Sequence, residues 1–310
     1  MKELEFIKII QNILSSEHIG DDCAYLEDLG IVVTQDSLVE DVHFKREFST
    51  PFQLGYKSIA VNLSDIYASG AEAKYLTVSL SLPKDIDTEF VKGFYEGAKS
   101  ALNGAKIVGG DITGSDKIFV SVTAIGATKD RKISSRKNAK VGYKIIVNGE
   151  HGTSGAGLHA LLNDVSGYET LKTEHLMPKI SSKLSDNIAT TATYDYAMMD
   201  SSDGLADSLY KIAKNSGVCA YVDFDKIPYN KEIENLSGID YKQMIFFGGE
   251  DYKLVCAISE EDLSKINPDF YTIIGEIIEK NDENYLKINM NDKIFNFDEN
   301  KLEEKFFKHF

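Results

Sequence analysis

Apolar side chains recur at helical spacing through Leu54, Ile59, Val61, Leu63 and Ile66, behind Thr50-Pro51, an N-cap with proline at the first helical position. The pattern predicts a helix from Thr50 that stops at Gly70, with Asp65 deep inside it. Apolar/polar alternation predicts strands over residues 74–82 and 118–127, and a hairpin of 24–26 and 31–34 around Asp28-Leu29-Gly30. Helical faces recur over 3–14 and 88–103, the second closed by Gly104. Ile107-Val108 reads as a short buried strand. Beyond it, 144–148, 196–199, 219–222 and 252–258 read as strands, 158–162, 180–190 and 205–215 as helices, and 286–290 with 293–297 as a hairpin around Asn291-Asp292.

Acidic residues stand where these apolar runs meet glycine, serine or threonine. Gly20-Asp21-Asp22, Thr34-Gln35-Asp36, Gly109-Gly110-Asp111 and Asp200-Ser201-Ser202-Asp203-Gly204 share that pattern, and Gly248-Gly249-Glu250-Asp251 follows the apolar run Met244-Ile245-Phe246-Phe247 in the same way. Carboxylates at strand ends are expected to converge on one sheet edge. Acids gathered in one place repel each other, and a hard divalent cation with oxygen ligands relieves that repulsion. Asp65, among Ile59, Leu63, Ile66 and Ala68, must likewise reach water, a cation or donors. Magnesium held by carboxylates with open positions is what phosphoryl chemistry requires.

At 310 residues, with 43% hydrophobic positions, the chain is long enough for two domains. The formal charge of −15 argues against a general nucleic-acid or anionic-membrane binder, and no apolar run approaches a membrane span. Cys23, Cys219 and Cys256 lie beside apolar residues without a C-x-x-C pair, as expected of reduced thiols in the cytoplasm. Residues 129–140 are the most basic stretch, and the domain boundary is placed there, giving 1–136 and 137–310. That stretch reads either as a charged connector or as the carrier of an Arg136 that reaches nucleotide phosphates. The glycine-rich segment 149–157 reads either as a phosphate-cradling loop or as a tight strand-to-helix turn.

Taken in order, Gly20-Asp21-Asp22-Cys23-Ala24, Gln35-Asp36-Ser37-Leu38-Val39-Glu40-Asp41-Val42-His43-Phe44, Val61-Asn62-Leu63-Ser64-Asp65, Gly109-Gly110-Asp111, Asp200-Ser201-Ser202-Asp203-Gly204-Leu205 and Gly248-Gly249-Glu250-Asp251-Tyr252 resemble the thiamine-monophosphate kinases. Their superfamily also holds aminoimidazole-ribonucleotide synthetase and selenophosphate synthetase, and the resemblance covers nearly the whole chain. It implies a two-domain α/β (α+β) fold. The N-terminal, mixed-sheet domain (1–136) would bind ATP and magnesium and pair into a homodimer, and the C-terminal α/β domain (137–310) would cover the active site.

The activity so implied is ATP-dependent phosphorylation of thiamine monophosphate to thiamine diphosphate, with several Mg2+ ions and no covalent nucleophile on the enzyme. By position, Asp22, Thr34, Asp36, Asp65, Asp111, Asp200 and Asp203 would hold metal. Gly110, Asp111, Arg136 and Ser202 would contact ATP, and His43, Glu250 and Phe307 the thiamine phosphate. The chain departs from the family at Gln35, where a small hydroxyl or aliphatic residue is usual, and at Asp41, where glycine is usual. Tyr143 replaces an acid, Ser201 an aliphatic residue and Lys253 a glutamate. Within the superfamily, a selenophosphate synthetase would carry its catalytic cysteine in an N-terminal glycine-rich segment, whereas Cys23 follows the acid pair. Hydrogenase-maturation relatives end in a reactive cysteine, and this chain ends Phe307-Lys308-His309-Phe310.

Overall fold

The computed structural model describes residues 2–16, 18–298 and 302. Its N-terminal half runs α1 (Lys2–Leu14), β1 (Ala24–Leu26), β2 (Ile31–Val39), α2 (Pro51–Ala68), β3 (Glu72–Leu82), α3 (Thr88–Ala101), β4 (Lys106–Gly114) and β5 (Phe119–Ala127). The strands form a mixed sheet in the order β1-β2-β5-β3-β4, with β3 and β4 parallel across the α3 crossover. The C-terminal half runs β6 (Lys144–Val147), α4 (Thr153–Leu162), α5 (Glu169–Leu176), α6 (Lys183–Thr191), β7 (Ala197–Asp200), α7 (Leu205–Ser216), β8 (Cys219–Asp223), α8 (Tyr241–Phe247), β9 (Leu254–Ile258), α9 (Glu260–Leu263), β10 (Thr272–Ile278), β11 (Leu286–Met290) and β12 (Lys293–Phe297). Its sheet is seven-stranded and also mixed, in the order β12-β11-β8-β10-β6-β9-β7.

Helix α2 is the centre of the molecule. Thr50 and Gln53 close a capping box at its start, the Thr50 hydroxyl accepting from Gln53 N at 3.2 Å and Gln53 Oε1 from Thr50 N at 2.9 Å. One side packs on β2, β3 and β5, and another on α3. There, Cβ atoms at Gly55 and Gly97 would come within 1.9 Å and 1.8 Å of the Phe94 and Phe52 carbonyl oxygens, so only glycine permits the approach. The core containing Ile59, Leu63 and Ile66 continues into the second half through Ile188, Tyr196, Met198, Leu254 and Cys256. Both halves therefore close on one helix, which carries Asp65.

Two expectations change. Met244-Ile245-Phe246-Phe247 is the last turn of α8 rather than a strand, because Asp240 accepts from Lys242 N at 2.9 Å and Gln243 N at 3.3 Å, starting a helix that Gly248 ends. Ile107-Val108 belongs to β4, an exposed edge strand rather than a short buried one. Gly110 in it is needed for pairing, since a Cβ there would lie 1.9 Å from Val78 O. The basic connector is tied down: Arg131 pairs with Asp186 at 2.6 Å, and Lys132 with Asp195 at 3.0 Å. Cys23, Cys219 and Cys256 are buried and unbridged. Among the described residues, no helix is long and apolar enough to cross a membrane.

Candidate active site

Asp22 enters ahead of β1, Asp65 lies on α2, and Asp200 ends β7. Carboxylate oxygens of all three lie within 4.8 Å of one another. They meet from a hairpin, a helix and the other domain's sheet, where convergence on a single sheet edge was expected. Thr34, on β2, donates its hydroxyl to Asp65 Oδ2 at 2.6 Å, and Ser64 donates to Asp200 Oδ2. Asp36 is held close by through its backbone N–H, which donates to Asn62 Oδ1 at 3.0 Å. Its charge presses on both Asp65 and Asp200.

Burial, followed by repulsion from Asp36, Asp200 and Asp22, holds the Asp65 carboxyl well above the ordinary carboxylate range. Burial pushes Asp200 up to about 7, with the Asp22 charge adding to the rise. Burial also raises Asp22, outweighing Arg136, whose Nη2 donates to Asp22 Oδ1 at 2.6 Å. Three buried or half-buried carboxylates with a hydroxyl beside them form a hard oxygen donor set, destabilised in its charged form. Such a set fits a divalent cation of the magnesium class.

Asp22 and Asp65 border a cavity of about 620 Å³ whose wall comes from both halves of the chain, with Asp200 buried beside them. Asp22, Thr34, Asp36, His43 and Asp65 line it from the first half, Arg136 from the connector, and Ser202, Asp203 and Glu250 from the second. Ser202 N–H donates to Asp200 Oδ1 at 3.4 Å, and Asp203 pairs with Lys211 at 3.0 Å. His43 Nδ1 accepts the Val39 N–H at 3.0 Å, so the neutral ring carries its proton on Nε2. Gly110 and Asp111 are not brought to this cavity; they sit on exposed β4, Asp111 in register with Ser79. Phe307 lies outside the described residues.

Residues not singled out from the sequence complete the wall. Lys211 faces the cavity between Asp203 and Asp207, 2.7 Å from the latter. Lys57 and His175 hold Glu250. The signal for Lys57 was a lysine within the apolar run of α2, which a solvated helix face would equally explain. Of the two readings of residues 149–157, the structure carries the strand-to-helix turn: Asp251 accepts from Gly152 N at 2.6 Å and Ser154 N at 2.9 Å, occupying amides at the start of α4.

The departures are locally accommodated. Asp41 has φ +66°, a left-handed conformation that glycine adopts freely and aspartate tolerates, and Lys117 pairs with it at 3.0 Å. Gln35 is engaged by β5, donating to Ser121 Oγ at 3.0 Å and accepting from Thr123 at 3.2 Å. Tyr143 OH donates to Asp195 O at 3.1 Å, and Ser201 Oγ accepts from Lys253 N at 3.0 Å. Buried Lys253 meets Glu174 at 2.5 Å.

Residues 20–128 match the family of AIR synthase related proteins in their N-terminal domain, and residues 140–286 match its C-terminal domain. Thiamine-monophosphate kinase of Aquifex aeolicus is 36% identical over 82% of this chain and 84% of its own length, and that of Bacillus subtilis is 35% identical over 79% and 78%. The chain belongs to the thiamine-monophosphate kinase family. It is accordingly an enzyme of the kinase class. In three dimensions it is similar to AaThiL complexed with AMPPCP and TMP, with a TM-score of 0.84 at 33% identity over 94% of this chain and 95% of that one. The family's two-domain, mixed-sheet architecture is the one described above.

Proposed function

We propose that this enzyme transfers the γ-phosphate of ATP directly to the terminal phosphate of thiamine monophosphate, giving thiamine diphosphate and ADP. The observation that carries the reading is the meeting of Asp22, Asp65 and Asp200 at the edge of a cavity closed by both domains. Those three, with Thr34, Asp36 and Asp203 nearby, would hold Mg2+. Bound there, the ions would neutralise phosphate oxygens that otherwise repel each other.

The acceptor is a phosphate monoester, anionic near neutral pH, so no strong base is needed to make its oxygen a nucleophile. That oxygen attacks Pγ in line, the bond from Pγ to the β,γ-bridging oxygen breaks, and ADP leaves with the electron pair. No phosphoenzyme forms. Arg136 and Ser202 serve the nucleotide phosphates, and His43, with its proton on Nε2, donates to the acceptor phosphate rather than taking a proton from it. Glu250 contacts the acceptor. Gly110 and Asp111 would join through a homodimer formed at the β4 edge, where Val108 and Ile112 are 60% and 61% exposed.

A product assay with ATP, Mg2+ and thiamine monophosphate tests this, with free thiamine as control acceptor. Thiamine diphosphate should form from the monophosphate alone and vanish with chelator. ATP binding or hydrolysis without diphosphate would refute the reading.

A further inference from the structure

Glu250 stands at an unusual point in the cavity wall. Its φ is +65°, a conformation a side-chain-bearing residue adopts at some cost, and its N–H is anchored to Ser202 O at 2.6 Å. The preceding Gly249 leaves room for that approach, since a Cβ there would lie 2.9 Å from the same carbonyl oxygen. The carboxylate is met by a lysine from the other domain. Lys57 Nζ lies 3.1 Å from Glu250 Oε1, and the ammonium is almost wholly buried within α2. His175 Nδ1, also buried, lies 3.4 Å from Glu250 Oε2 and 3.1 Å from Ser154 Oγ.

A lysine buried among apolar neighbours is costly, and replacing such a pair by apolar residues is often neutral for stability. Two costs, the backbone of Glu250 and the desolvation of Lys57, therefore fall on one carboxylate that faces the cavity. Lys57 does not itself line that cavity; its ion-pair partner Glu250 does.

We propose that Lys57 is a positioning residue for acceptor recognition: reaching across from α2, it fixes the Glu250 carboxylate in one orientation toward the acceptor end of the cavity. This rests on the proposed role of Glu250 as an acceptor contact. A carboxylate so fixed recognises the N–H donors and positive charge of a heterocyclic acceptor, both of which thiamine monophosphate carries. Burial alone would raise the Glu250 carboxyl; the Lys57 ammonium overrides it and holds the group below its ordinary value, while His175, itself pushed down to about 3 by burial, is a neutral neighbour. The two domains thus share one recognition element, with Lys57 on one and Glu250 on the other.

The test is a double-mutant cycle in the full-length protein, read as separate KM values for thiamine monophosphate and ATP, with folding checked by circular dichroism. Lys57→Met and Glu250→Gln should each raise the acceptor KM by about tenfold, the loss of one charge-assisted contact, and leave the ATP KM within about twofold. Lys57→Met/Glu250→Gln should be no worse than Glu250→Gln alone, and Lys57→Arg should recover most of the loss. An acceptor KM unchanged in Lys57→Met, an equal rise in the ATP KM, or effects that multiply in the double variant would overturn the inference. If Lys57→Met does not fold, the double variant, which has neither charge, is compared with Glu250→Gln: equal acceptor KM supports the inference and a further rise overturns it. Wild-type protein that forms no diphosphate overturns the proposed reaction and this inference with it. Wild-type turnover indifferent to Lys57→Met overturns the inference alone.

Discussion

With divalent ions removed, Asp200 is expected to contribute less to stability as pH rises from 5 to 8, the reverse of the usual carboxylate sign. Its folded-state value is about 7 against an ordinary 3.8, because burial disfavours the charged form and Asp22 repels it. A carboxyl raised in this way binds more protons folded than unfolded between those values. Its contribution is therefore intact below pH 4, falls as pH rises, and is fully lost above 7. The whole span corresponds to about 4 kcal/mol, of which roughly 3 kcal/mol falls above pH 5. For a chain of 310 residues that is a drop in Tm of about 5 °C.

The assay is thermal unfolding of wild type and Asp200→Asn across pH in chelator, then in Mg2+. Taking the difference between the two proteins removes titrations outside the acid cluster, whose members respond to one another. In chelator the wild-type advantage should shrink by roughly 3 kcal/mol between pH 5 and 8, since the amide does not titrate. In Mg2+ the shrinkage should disappear, because a cation bound by the folded state alone stabilises the ionised cluster. A wild-type-minus-variant difference that is flat in chelator, or one that grows with pH, would refute the reasoning from burial and repulsion. Equal slopes with and without Mg2+ would refute the cation's place at this cluster.

Other perturbations read other parts of the molecule. Asp65→Asn keeps the Thr34 contact in shape but removes a charge, and should lower turnover by roughly 10³-fold or more with the circular dichroism spectrum unchanged; retained turnover would remove Asp65 from the metal set. Lys253→Glu faces Glu174 with a like charge in a buried site and should cost roughly 3–5 kcal/mol in denaturant unfolding, while adding Glu174→Lys should restore most of it. Gly55→Ala drives a methyl against the Phe94 carbonyl and should destabilise by roughly 1–3 kcal/mol or more, measured the same way.

Much of the fold was legible because local signals agreed with the final packing. The Thr50-Pro51 start, the hairpin Asp28-Leu29-Gly30 and the turn Asn291-Asp292, both of whose residues have positive φ, are set by chemistry within a few residues. Met244-Ile245-Phe246-Phe247 was misread because a short apolar run suits a buried strand or a buried helical turn equally, and the cap that decides it, Asp240, lies outside the run. α5 and β10 were not read at all. The polar Glu169–Leu176 has little apolar periodicity, and the Gly275 position breaks the alternation of Thr272–Ile278 at a register shift.

The site divides along the same line. Asp65 could be picked out as an acid in apolar company, and Asp22 and Asp200 as acids where an apolar run meets glycine or serine, signals visible within one segment. Lys57 could not, because its conflict is resolved by a residue almost two hundred positions later, and nothing near it in the chain announces Glu250. The same reasoning explains why Lys253 read only as a departure from the family. A glutamate at that position would face Glu174 with a like charge in a buried site, so Lys253 and Glu174 depend on each other. Motif residues meet across the two halves at Asp22, Asp65 and Asp200, and Lys57 with Glu250 adds a contact that only one of its members announces. On the inference drawn above, acceptor recognition joins Glu250, which the motifs contain, to Lys57 of α2, which they do not.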